Sequence, residues 1–183
     1  MVRTLSPEDL LLILCVHGAK HLWSQLGWIS DVAELVRGHP SADWPWLLAE
    51  ARALGSERML LLGLFLARDL LDAPLPEAVR PALRADRVVE SLAGQVVERL
   101  FGRPRGAAGV LESALFHLRA REHVRDRLRY GVRLAMTTTP GDWALLPLPV
   151  RLFPLYWLLR PIRLAGKYAA GAVRRGYDGP RGR

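Results

Sequence analysis

Two imidazoles four residues apart, His17 and His21, share a helix face with Lys20 beside them, and Trp28 and Asp31 follow on the next predicted helix. Spacing of i and i+4 suits paired metal ligands. Gly18, however, follows His17 where the helical zinc proteases carry a glutamate, so no zinc site is read here. Two readings of this group stay open. In the first, the imidazoles extend the apolar stripe of Leu10, Ile13 and Leu14 and point inward, and Asp31 satisfies them across the helix pair because an unpaired buried polar group is costly. In the second, His17, Lys20, His21, Trp28 and Asp31 face a cleft and hold a phosphate or an acceptor hydroxyl.

A second set of candidates is cationic. Arg121, Arg125, Arg129 and Arg133 recur every four residues down one helix, beside Val124, Leu128 and Val132, which are expected to form its buried strip. Such a line is either a solvated face or a phosphate-binding one. Further on, Arg160, Arg163 and Lys167 alternate with Tyr156, Trp157 and Tyr168, a mixture that suits stacked bases, a lipid headgroup layer, or aromatics packed inward with their cations in water. Arg125, Arg129, Arg160, Arg163 and Lys167 are therefore the anion-binding candidates. Other motifs fail. The glycines of GRPRGAAG (102–109) lack the Lys-Ser/Thr of a phosphate loop, and there is no G-x-S-x-G elbow. Cys15, in an apolar helix, reads as a buried inert thiol.

The elements that must carry these groups are helical almost throughout. Ser6-Pro7-Glu8-Asp9 is a helix start, with a capping hydroxyl, proline at the first helical position and acids at the positive dipole end. A second helix begins near Trp28, with Trp28, Val32, Leu35 and Val36 as its predicted buried side, and ends at Gly38-His39-Pro40. Asp43 caps a third helix that closes at Gly55, and Ser56 caps a fourth reaching about Leu71. Residues 72–81, with three prolines, read as a connector, and 86–101 as a helix with Val88, Leu92, Val96 and Leu100 inward. Residues 110–137 are helical with a break near Glu122, and 150–175 form a proline-punctuated amphipathic stretch. No alternating strand and no fixed-period repeat is present. The expected fold is all-α, an irregular bundle of about seven to nine helices without a sheet, divided into a helical core (1–101), a Gly-rich hinge (102–109) and a basic helical region (110–183).

Charge and composition narrow the function classes. The 183 residues carry a net charge of +8, yet residues 1–101 hold 10 basic and 13 acidic groups whereas 102–183 hold 16 and 5. All the basic excess thus lies in the second part, where nucleic acid or an anionic membrane surface would be attracted. One cysteine excludes an internal disulfide and the cysteine-rich zinc classes, and points to a reducing, cytoplasmic setting. No apolar run approaches the ~20 residues of a spanning helix without interruption by proline or charge, so no transmembrane span is expected.

Three stretches, LLLILCVHGAKHLWSQLGWISDVAELV, LLLGLFLARDLLDAPLPE and TTTPGDWALLPLPVRLFPLYWLLRPIRLAGKY, together resemble the helical C-terminal part of a family of bacterial proteins described as uncharacterised nucleotidyltransferases. The resemblance spans nearly the whole chain and rests on His17, Lys20, His21, Trp28 and Asp31 together with Asp142-Trp143 and Arg160-Pro161. It implies a preceding α/β domain whose Asp-x-Asp pair binds divalent metal, with Mg2+ and a nucleoside triphosphate expected for an intact family member. None of the 18 acidic residues here is separated from another by a single residue. The chain therefore reads as the accessory, acceptor-recognition portion, inactive alone and without a cofactor of its own, whose partner is a separate catalytic nucleotidyltransferase domain. The alternative is a non-enzymatic basic module that binds nucleic acid or an anionic membrane.

Overall fold

The computed structural model describes residues 5–102 and 110–136, and these are all-α. In chain order they form α1 (Pro7–Lys20), α2 (Leu26–Gly38), α3 (Trp44–Ala53), α4 (Glu57–Leu71), a 3-10 turn (Glu77–Val79), α5 (Arg80–Ala85), α6 (Arg87–Phe101), α7 (Val110–Arg119) and α8 (Val124–Met136). The chain divides into two compact units, residues 1–127 and 128–183. Of the second, only the remainder of α8 is described.

In the first unit α4 is the central helix. Met59, Leu60, Leu61, Leu62, Gly63, Leu64, Leu66 and Ala67 are all buried, as an element apolar around its whole circumference demands. Helices α1, α2 and α6 pack on it, α3 leans on α1, and α7 on α6. The expected caps form at α1 and α3: Ser6 Oγ accepts from the Asp9 N–H at 3.0 Å, and Asp43 Oδ1 from the Trp46 N–H at 3.0 Å. At α4, Ser56 instead donates to the Ala51 carbonyl at 3.2 Å, and a carboxylate oxygen of Glu122 accepts from the Arg58 N–H in the first turn.

The turn after α1 is the least ordinary piece of backbone. Leu22 and Trp23 both adopt left-handed φ, 59° and 51°. Their N–H groups return to the carbonyls of Ala19 (3.2 Å) and Gly18 (2.8 Å), closing the helix with a Schellman pair at residues that carry side chains. Two such residues cost on the order of 1 kcal/mol or more each. Complete burial of the Trp23 indole offsets that cost. The ring lies in a cradle made by absent side chains: a Cβ on Gly18 would stand 2.5 Å from it, and one on Gly63 would stand 3.1 Å from it and 2.5 Å from Cys15 Sγ.

This cradle decides which side of α1 is buried, and the outcome differs from the sequence expectation. The inward face is Leu11, Leu12, Cys15, Gly18 and Ala19, while Ile13, His17 and Lys20 are exposed and His21, the C-cap residue, is exposed as well. Residues 10–16 are apolar on every side, so periodicity does not single out a face. The small residues that admit Trp23 do. Smaller shifts occur in α2, where Val32 and Val36 are buried as expected together with Ile29 and Ala33 while Trp28 and Leu35 are half-buried, and in α6, where Leu92 and Val96 are buried as expected together with Val89 and Ala93 while Val88 and Leu100 are half-buried. The connector contains a helix that was not expected, α5, with Pro81 in its first turn, where the missing N–H costs nothing. In α8 the strip expected to be buried is exposed: Val124 66%, Leu128 65% and Val132 54%.

Candidate functional site

The end of α1 and the start of α2 bring three rings together on the surface. His17 and His21 have centroids 4.6 Å apart, His17 meets Trp28 edge-on at 5.2 Å, and His21 meets the same indole at 5.5 Å. The turn through Trp23 folds α2 back and so places Trp28 over the two imidazoles. Lys20, exposed, stands one residue before His21. On the other side of His17 a hollow of about 460 Å³, lined by Leu12, Ile13, Val16, His17, Lys20, Leu54 and Ser56, opens between α1 and the α3–α4 turn. Asp31 does not join the group: it is exposed and takes no hydrogen bond from either imidazole. Both histidines being at the surface, they need no buried partner, and the inward reading with Asp31 as acceptor is replaced by a solvent-facing cluster.

A third imidazole borders this face. Burial, reinforced by Arg121, His21 and Arg99 nearby, lowers the pKa of His117 from 6.5 to about 4, so it is neutral at pH 7. Arg99 ties the surroundings together: its guanidinium donates to the Leu22 carbonyl at 3.2 Å, pairs with Glu112 at 2.9 Å and lies 5.7 Å from the Phe116 ring centre. The strained turn is thereby clamped from α6. Cys15 is fully buried, and desolvation pushes its thiol pKa well up, so it is a packing residue beneath the site and no nucleophile.

The donors of the ring cluster do not fit magnesium. Among the described residues no three of His, Cys, Asp or Glu converge, and magnesium requires oxygen ligands that the ring cluster lacks. No chemical step is routed through a metal here. What the arrangement offers is recognition: ring faces and edges for a planar group, imidazole nitrogens for hydrogen bonds, and an ammonium for an anion.

Sequence reasoning missed a larger feature on another side of the unit. A cleft of about 750 Å³ lies between α4, the connector, α5 and the start of α6, and Arg68, Arg80, Arg84 and Arg87 are on its walls with Phe65, Leu75, Leu83, Asp69, Asp86 and Glu90. Arg68 sits 4.5 Å above the Phe65 ring. Asp86 is committed, since Oδ1 caps α6 at Val88 (3.0 Å) and Oδ2 holds Arg58 at 2.6 Å. The signal available in the sequence was Arg80, Arg84 and Arg87 at helical spacing, and it was hidden by assigning 72–81 to a connector.

Of the other anion-binding candidates, Arg125 and Arg129 are exposed on α8, and Arg160, Arg163 and Lys167 lie outside the described residues. No helix among the described residues is long and apolar enough to cross a membrane. Residues 1–72 match the model of the family described as uncharacterised nucleotidyltransferase, so over that span, through the end of α4, the resemblance is established. The matched span is less than half of the chain. No curated protein and no solved structure matches.

Proposed function

We propose that this chain is the helical acceptor-recognition portion of a nucleotidyltransferase-family protein, and that the His17–His21–Trp28 cluster with Lys20 forms one wall of the acceptor cleft. The observation that carries this reading is the grouping of three rings within 4.6–5.5 Å on the exposed surface of the span that matches the family. Nucleotidyl transfer needs convergent carboxylates to hold metal and align the attacking hydroxyl. No Asp-x-Asp pair occurs in this sequence, so that chemistry is assigned to another domain or polypeptide. The wall suits an acceptor that carries a planar ring and an adjacent phosphate. Three measurements test it. The chain alone, with Mg2+ and labelled nucleoside triphosphates, is expected to incorporate no label, and incorporation abolished by EDTA would refute the assignment. A short mixed oligonucleotide should shift the ring NMR signals of His17 and His21 while leaving His39 unchanged. Trp28→Ala should weaken that binding about tenfold, the scale of one stacked base; unchanged affinity rejects the wall.

A second reading is favoured by α8 alone. Val124, Leu128, Val132 and Met136 form an exposed apolar line at four-residue spacing, and Arg125, Arg129 and Arg133 run beside it. Nucleic acid has no use for that line, whereas an anionic lipid surface accommodates both: the apolar side enters the headgroup boundary and the arginines meet the phosphates. Leu128→Glu with Val132→Glu should abolish flotation with vesicles containing phosphatidylserine, and zwitterionic vesicles should not bind. Flotation unaffected by the double change removes this role for α8.

A further inference from the structure

The cleft between α4 and α6 holds charge that its own fold does not use. Arg80 and Arg84 are four residues apart on α5, a spacing at which like charges on a helical surface repel, and Arg87 opens α6 on the wall of the same cleft. Among the described residues none of the three has a hydrogen bond or an ion pair. Arg68 faces them from α4, held over Phe65, and its nearest carboxylate, Asp69, is 3.9 Å away. Asp86 is neutralised from outside the cleft by Arg58, so four guanidiniums confront only Asp69 and Glu90. An anion between α4 and α5 would convert this repulsion into charge-assisted, bidentate hydrogen bonds, for which guanidinium is the suited group.

We infer that this cleft binds a phosphate ester carrying two or more phosphoryl groups: Arg80, Arg84 and Arg87 take the phosphates, and the apolar wall of Phe65, Leu75 and Leu83 takes the organic part. Its volume of about 750 Å³ admits a molecule of nucleotide size, beyond what inorganic phosphate needs. Glu90 stands on the same wall as an acceptor for a hydroxyl of the ester. The site is separate from the His17–His21–Trp28 wall, shares no residue with it, and stands or falls independently of the acceptor reading.

Calorimetry with the full chain, using ADP, pyrophosphate and adenosine as probes, tests this. ADP should bind with a dissociation constant below about 1 mM, pyrophosphate several-fold more weakly, and adenosine not measurably. Arg84→Ala should weaken ADP roughly tenfold and Arg80→Ala with Arg84→Ala roughly a hundredfold, the scale of lost charge-assisted hydrogen bonds. Both side chains are exposed, so the fold should persist, as circular dichroism will show. Asp69→Asn removes a competitor for Arg68 and should tighten ADP about two- to threefold, a gain that misfolding cannot imitate. No ADP binding, equal binding of adenosine, equal affinity for pyrophosphate, or indifference to both arginine variants overturns the inference.

Discussion

At the scale of single residues, the most constrained group is Trp23 with the two glycines that accommodate it. The indole is fully buried and stands where a methyl group on Gly18 would lie 2.5 Å away, so side-chain absence at residues 18 and 63 is a packing requirement. Gly63→Ala is accordingly expected to destabilise the chain by about 1–3 kcal/mol despite the gain in helix propensity, because Cys15 and Trp23 are rigidly held neighbours and overpacking cannot relax. A shift of the urea midpoint measures it; an unchanged or raised midpoint would show that the cradle yields. The sequence contained every residue of this cradle, but the contacts join residues 15, 18, 23 and 63, and no local pattern announces such a meeting. For the same reason His17 and His21 could be assigned to one helix face from spacing alone, while the direction of that face could not.

At the scale of elements, boundaries follow local chemistry closely. Ser6, Asp43 and Asp86 cap the helices they precede, and the first two caps were readable because capping needs only a side chain two or three residues from its donor. Helix α4 ends less comfortably. Asp72 adopts a left-handed φ of 52° at its C-cap, with a negative side chain at the negative end of the helix dipole. Arg37 offsets part of this by donating to the Leu71 carbonyl. Asp72→Gly should raise stability by about 0.5–1 kcal/mol, since glycine takes this conformation without strain. Thermal unfolding checks it, and a lowered melting temperature would contradict it. At the other end of the same helix, Arg58 spans three segments by donating to Asp86 and to the Arg119 carbonyl at 2.6 and 2.7 Å. That clasp was beyond sequence reasoning, because it links residues some sixty positions apart.

At the scale of the whole molecule, pH dependence reflects a balance between two half-buried groups. His117, with its pKa lowered to about 4, favours the folded state above its ordinary 6.5, and that contribution is lost as pH falls from 6.5 toward 4. Glu122 has the opposite sign: burial raises its carboxyl above 4.5, so the folded state gains as the group protonates on acidification. Glu8, held low by the Asp43 N–H, keeps its contribution down to its ordinary 4.5 and loses it only at lower pH. Denaturation midpoints should therefore fall between pH 7 and 5, and His117→Gln should flatten that fall; an equal fall in the variant would assign it elsewhere. The all-α class and most helix limits could be read from residue order, since caps, prolines and apolar periodicity act over a few residues along the chain. The buried face of α1, the ring cluster at its end and the arginine cleft were decided only when α4 became the common packing surface, because burial and electrostatic confrontation depend on which distant side chains arrive at the same place.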